Sequence, residues 1–247
     1  RGSLLGVLDK THTAMGGRKI RNWLREPLIS CQEICERLDA VEALLEDEML
    51  RNNIKESLKA IYDFERLSAK IATGSANGKD IVALRNSLYV LPEIKLDIKD
   101  SESLLLNEIY MNIDTLEEVH DRIAKAIKDD PPFTVKEGGL IKEGYSPELD
   151  ELKNSIKDAR KWIASLENKE RERTGISNLK VGYNKVFGYY IEITKSKYDM
   201  IPDNYIRKQT LVNAERFITP ELKETESIVL NAEMKINQTE YELFCSL

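Results

Sequence analysis

Two stretches of this chain open alike and keep the same apolar rhythm, and that matched pair confines the fold more than any other feature. Ser146-Pro147-Glu148-Leu149 and Thr219-Pro220-Glu221-Leu222 each offer a hydroxyl N-cap followed by proline in the first turn, the grammar of a helix start. After the first, Leu149, Leu152, Ile156, Ala159, Ile163 and Leu166 recur at alternating steps of three and four. After the second, Leu222, Thr225, Val229, Ala232, Ile236, Thr239 and Leu243 do the same. Sustained seams of this kind belong to helices that pack along their length. At 1.5 Å per residue each helix is roughly 35–40 Å long. The pair predicts antiparallel arms with an insertion held at the far end; two unrelated surface helices would give no reason for the matched seams.

Between the arms the period falls to two. Leu179 to Tyr183 and Tyr189 to Thr194 alternate around Val181 and Ile191, with Asn184 to Gly188 joining them as a hairpin loop. Tyr205 to Leu211 and Glu215 to Ile218 are two further candidate strands. Residues 173–219 therefore predict a small antiparallel sheet. Upstream, residues 4–128 read as successive amphipathic helices: Ile34, Leu38, Val41, Leu44 and Leu45 mark one face, and 52–72 and 80–90 continue the pattern until Leu91-Pro92 breaks it. A further helix at 114–127 ends at Asp129-Asp130-Pro131-Pro132, and 133–145, with glycines around Leu140-Ile141, predicts a hairpin or an extended crossing. The expected fold is mainly α: a helical core and two long antiparallel helices carrying a small antiparallel β-sheet insertion.

A chain of 247 residues that is 41% hydrophobic has apolar surface enough for one large domain or two ordinary ones. Its net charge of −6 speaks against a surface coated in basic residues, but the distribution matters more. Eight Lys/Arg and four Asp/Glu lie between Arg173 and Arg216, so that segment carries +4 and the remainder −10. Contacts to phosphate need cations or amide donors on strands and turns that can follow a backbone. The candidates are Lys180, Asn184 and Lys185 on the first strand and its turn, Lys195 and Lys197 after Ile193, and Arg207, Lys208, Asn213 and Arg216 on the later strands. Each alone is more often a solvated surface charge; as a group on an acidic chain, some of them are expected to touch phosphate. Tyr183, Tyr189, Tyr190 and Phe217 are expected to form the sheet's small core rather than to stack on bases. The Glu and Asp residues of 147–172 and 220–244 read as solvated helix faces.

Other chemistries find no support. His12 and His120 are expected to be structural, and nothing assembles a nucleophile, a base and an orienting group, which excludes a hydrolase. Cys31, Cys35 and Cys245 form neither a disulfide framework nor a metal set, which suits a reducing compartment such as the cytoplasm. No apolar run could cross a bilayer, and Arg1-Gly2-Ser3-Leu4-Leu5 does not open a signal peptide; the abrupt start is that of a piece of something longer. The nearest approach to a P-loop, Gly74-Ser75-Ala76-Asn77-Gly78-Lys79-Asp80, has three residues between its glycines instead of four, and Asp80 where Ser or Thr should meet Mg²⁺. It reads as a helix-to-helix turn, so the chain is expected to have no ATPase activity and no cofactor of its own.

Several strings are similar to one family. Arg171-Glu172-Arg173-Thr174-Gly175, then Leu179-Lys180-Val181-Gly182-Tyr183-Asn184, Gly188-Tyr189-Tyr190-Ile191, Arg207-Lys208-Gln209-Thr210-Leu211, Asn213-Ala214-Glu215-Arg216 and Pro220-Glu221-Leu222-Lys223 resemble the clamp of the MutS family of DNA mismatch-repair proteins. Leu8-Asp9-Lys10-Thr11, Met15-Gly16-Gly17-Arg18, Trp23-Leu24, Pro27-Leu28, and Asp80 with Leu84-Arg85-Asn86-Ser87-Leu88 resemble its core. The resemblance implies a helical core and outgoing lever helix over 1–172, a clamp crossing double-stranded DNA over 173–219, and a returning lever helix, part of the core, over 220–247. It further implies a homodimer, a MutL-type repair partner, and ATP and Mg²⁺ bound at distant ATPase domains that move the clamps through the levers. A clampless branch of the family is disfavoured by the clamp strings. Val212 stands where family members often carry lysine, which removes one phosphate contact, and a Phe-x-Glu mismatch reader is not found. The competing expectation is a helical protein-interaction scaffold with an incidental basic tip.

Overall fold

The computed structural model describes residues 2–247. The chain divides into two compact units, one reaching to Val135 with 140–142 and Leu247, the other comprising 136–139 and 143–246. The fold is mainly α with one small antiparallel sheet, as the periodicities predict.

The first unit holds α1 (Leu4–Leu8), α2 (Ala14–Arg25), α3 (Cys31–Glu46), α4 (Glu48–Lys59), α5 (Phe64–Ala72), α6 (Gly78–Tyr89), α7 (Leu91–Asp97), α8 (Leu104–Asn112) and α9 (Glu117–Ala126). Short helices need their ends satisfied, and side chains do this at Thr13, Ser30, Asp47, Asp63, Asn77 and Ser103, each accepting an N–H of the first turn. The pattern over 52–72 is two helices rather than one. Asp63 ends the first run by capping α5, and both its oxygens are also held by the Arg18 guanidinium at 2.7 and 2.8 Å. Leu91-Pro92 both stops α6 and starts α7, since proline in a first turn gives up no hydrogen bond. Of the two options for 133–145, the extended crossing is the one formed: Ile141 makes a single antiparallel bridge to Ile127, and Ile127, Leu140 and Ile141 are fully buried. The α3 stripe departs from its sequence pattern. Ile34, Leu38, Val41 and Leu45 lie on one face but are 37–69% exposed.

The second unit is built on α10 (Pro147–Thr174) and α11 (Pro220–Cys245), which pack against each other and open on Ser146 and Thr219 caps. Leu149, Ile156, Ile163 and Leu166 of the first seam and Leu222, Val229 and Ala232 of the second are buried. Gly175, at φ 72°, ends α10 in the left-handed conformation that a Cβ disfavours. Between the helices run β1 (Lys180–Asn184), β2 (Gly188–Thr194), β3 (Ile206–Thr210) and β4 (Ala214–Ile218), in the sheet order β1-β2-β4-β3, all antiparallel. A 3-10 segment, Lys195–Met200, follows β2. One sheet face joins the helices in a single core in which Ile163, Leu166, Leu179, Ile191, Ile193 and Phe217 meet.

Candidate nucleic-acid interface

Cross-strand partners share a face, so the register places the cations that lie in paired positions of the strands. Lys180 pairs with Glu192, Glu192 with Arg216, and Arg216 with Gln209, which sets these four in a row on the outer face. Arg216 is fixed there: Nε donates to Glu192 at 3.0 Å, Nη1 donates to Gln209 at 2.9 Å, and the guanidinium lies 4.1 Å from the centre of the Tyr190 ring. Arg207 pairs with Phe217 on the inner face and is ion-paired at 3.2 Å to the buried Glu215. Lys208 sits at the irregular step of β3 between Arg207 and Gln209. Lys185 precedes β2 in its turn and Lys195 follows its last residue, so these two lie at opposite ends of that strand. Lys195 meets Asn213 through a 3.2 Å backbone hydrogen bond, and Lys197 marks a kink in the 3-10 segment. The strand candidates thus divide between faces, with Lys180 and Arg216 on the outer and Arg207 on the inner.

Lys180, Lys185, Lys195 and Lys208 are exposed and enter no ion pair among the described residues. The segment's two strand carboxylates, Glu192 and Glu215, are both committed to arginines. The segment's other two acids, Asp199 and Asp203, are exposed and, like the four lysines, enter no ion pair among the described residues.

Asn184 has a local task. Its Oδ1 accepts the Val186 and Phe187 N–H groups at 2.8 and 3.3 Å, closing a tight turn that Gly188 completes at φ 80°. The aromatic residues divide, which corrects the expectation of a common core. Phe217 is buried and Tyr189 packs against the core, but Tyr190 lies on the outer face beneath Arg216 and Tyr183 is 56% exposed with its ring against Tyr189.

The larger correction concerns acids. Glu170, Glu226 and Glu240 are 8%, 4% and 0% exposed, not solvated. Glu226 accepts the Tyr189 N–H at 3.1 Å and the Lys223 ammonium at 2.8 Å, and Glu167 accepts the Val181 N–H at 2.9 Å while pairing with Arg171. Each long helix thus holds one backbone N–H of the sheet. Glu170 takes hydrogen bonds from Arg173 and Tyr205. Burial works to raise its carboxyl, and those two donors outweigh it, leaving the group below its ordinary value; burial and Glu170 together push the Tyr205 hydroxyl well above its own. Glu240 pairs with Lys153 across the two helices at 2.7 Å. A signal for two of these acids was present: Glu226 stands four after Leu222 and three before Val229, and Glu240 four after Ile236 and three before Leu243.

The glycine-containing turn after α5 does not fit a nucleotide. Asp80 closes a reciprocal cap with Asn77 and pairs with Lys70 at 2.6 Å, and a Cβ at Gly78 would lie 2.7 Å from Leu140. The three cysteines are free and exposed, and no helix among the described residues is long and apolar enough to cross a membrane.

The family model described as MutS domain III matches residues 1–247. The chain is 56% identical over 247 residues to the DNA mismatch repair protein MutS of Alkaliphilus oremlandii, and 54% identical over 247 residues to that of Halothermothrix orenii. It is 54% identical over 244 residues to the protein of the same name from Acetivibrio thermocellus. These alignments cover 99–100% of this chain but only 28% of each relative.

Proposed function

This chain belongs to the MutS family of DNA mismatch-repair proteins, and we propose that its sheet grips duplex DNA through sequence-independent phosphate contacts. The observation that carries the reading is the set of exposed lysines, Lys180, Lys185, Lys195 and Lys208, left without carboxylate partners on an otherwise acidic chain. Phosphate neutralisation needs such cations, and it positions a protein without reading sequence. The carboxylates that tie β1 to α10 and β2 to α11 support a second part of the proposal: the long helices act as levers, and a displacement of either is passed to the sheet.

The division into core with outgoing lever (1–172), clamp (173–219) and returning lever (220–247) belongs to the same reading. Because the chain spans 28% of its relatives, ATP and Mg²⁺ binding and hydrolysis are assigned to the remainder of a longer protein. Homodimerisation, a MutL-type partner and a cytoplasmic location are likewise proposed for that whole. The exposed α3 stripe favours one further role, contact with other protein, as in the scaffold reading.

Fluorescence anisotropy of this chain with matched and mismatched labelled duplexes across a salt series tests the grip. Binding is expected to weaken linearly in log–log form as salt rises and to ignore the mismatch. Binding that is flat with salt, or none at low salt, would sink the phosphate reading in favour of the scaffold.

A further inference from the structure

The apolar stripe of α3 faces water without interruption. Ile34, Leu38, Val41 and Leu45 recur at steps of four, three and four, and their exposure rises along the helix from 37% to 69%. The helix itself is fixed: Ala40, on the far side, is buried, and α3 packs against α4 and α8. An apolar seam on a rigid support loses little conformational freedom when it meets a partner. From Ile34 to Leu45 the stripe runs about 16 Å, room for about three turns of a helix laid alongside.

Charge selects the partner. One step round the helix from the stripe run Asp39, Glu42 and Glu46, at spacings of three and four, all exposed and none in an ion pair among the described residues. Glu46 also lines an open cavity of about 510 Å³ at the end of α3, where Asp47, Asp97, Asp100 and Glu102 join it and no basic side chain does. One oxygen of Asp97 is buried without a hydrogen-bond partner, a costly state that a cationic donor relieves. Among the described residues no three of these carboxylates are placed to hold a metal ion, so the group called for is the charged end of a side chain. A second copy of α3 laid antiparallel would set acid ridge against acid ridge. We infer that α3 and the cavity at its end form a docking groove for an amphipathic helix of another protein, its apolar face on the stripe, lysines or arginines along its flank, and one of these cations entering the cavity. The inference rests on the protein-contact role proposed for α3 and adds the chemistry of the partner; it is independent of the phosphate grip.

Three labelled peptides probe the groove by anisotropy: a Leu/Lys amphipathic helix of about three turns, its Leu/Glu counterpart, and a Leu/Lys peptide of the same composition with the pattern scrambled. The wild-type chain is expected to bind the first about tenfold more tightly than either of the others. Leu38→Ser/Val41→Ser and Asp39→Asn/Glu42→Gln/Glu46→Gln should each weaken that binding about tenfold, and only the second should flatten its salt dependence. Leu38→Met, which keeps the stripe apolar, should stay near wild type. All these positions are exposed, so an unchanged thermal melt by circular dichroism accompanies each variant. Equal binding of the Leu/Lys and Leu/Glu helices overturns the charge assignment and leaves α3 as an apolar contact. Equal binding of the Leu/Lys helix and its scramble, or binding that both multiple variants retain, overturns the groove, since a chain of net charge −6 would then be attracting any cation. Binding of none of the three overturns the inference and removes the contact role with it. Self-association of the wild type in sedimentation that Leu38→Ser/Val41→Ser loses would assign the stripe to a second copy of the chain instead.

Discussion

Replacing Gly188 by alanine tests whether the sheet is locked to α11 as the geometry requires. Two costs are separable. At φ 80° an L-residue meets left-handed strain of about 1–2 kcal/mol. The added Cβ also collides with the Glu226 carboxylate, which must withdraw and leave the Tyr189 N–H without its acceptor, costing about 1–3 kcal/mol. Together, about 2–5 kcal/mol of stability should be lost from the second unit. Removing the carboxylate first changes the account: in a Glu226→Ala background the collision is gone and Gly188→Ala should cost only the backbone part. The double-mutant cycle should therefore show coupling of about 1–3 kcal/mol. Urea unfolding can be followed at Trp162, which packs against the core of this unit, in a common Trp23→Phe background. An unchanged denaturant slope is needed for the midpoints to be read as stability. If Gly188→Ala costs the same with and without Glu226, the collision is not what the glycine avoids and the lock is misassigned.

Three further outcomes follow from named contacts. Lys180→Ala with Lys185→Ala should lower the log–log salt slope of duplex binding by about 1.8 without altering the urea midpoint; an unchanged slope would remove both from the footprint. Glu170→Gln should alter acid stability: the wild-type carboxyl lies below its ordinary 4.5 when folded, so its contribution is complete above that pH and disappears as pH falls through the folded value. The gap in stability between wild type and variant should close in that acid range, and a gap constant with pH would argue against the assignment. Ser87→Ala should destabilise the first unit by about 1–3 kcal/mol, because this fully buried hydroxyl accepts the Tyr62 N–H at 2.9 Å; a shift within 0.5 kcal/mol, as a rough limit for a neutral change, would mean that another acceptor takes over.

The two long helices, their caps, the four strands and the tight turn before Gly188 were all readable from the sequence, because each depends on local chemistry or a simple period. Ser146-Pro147 and Thr219-Pro220 mark helix starts by satisfying N–H groups within one turn. Alternation around Ile191 reports a half-buried strand in the same local way. Positions decided by distant partners were not readable. Asp63 breaks the helical run at 60–63 in part because Arg18, 45 residues away, takes its oxygens. Tyr190 must face outward once its neighbour Ile191 faces in, but that Arg216 of β4 covers its ring there could not be seen from the sequence. Counting cations likewise found the basic segment but not their arrangement, since Arg207 and Arg216 differ in face only once the register is known.

The acids of the two seams show why charge and periodicity conflict here. A helix-face count sends every Glu to water, yet an inserted sheet creates N–H groups that no strand can satisfy. Val181 lies on β1, an edge of the sheet, and Tyr189 lies on β2 just beyond where β4 has left the ladder. A buried donor without an acceptor is costly, and the elements within reach are the two helices beneath. Each must supply an inward side chain long enough to reach a strand and able only to accept, which is what Glu167 and Glu226 do. Glu240 lies farther along α11 than the sheet contacts and finds a lysine on α10 in place of a strand N–H. A glutamate inside an otherwise apolar seam therefore marks where a helix meets something other than a plain apolar neighbour, and Glu226 marks where the sheet rests.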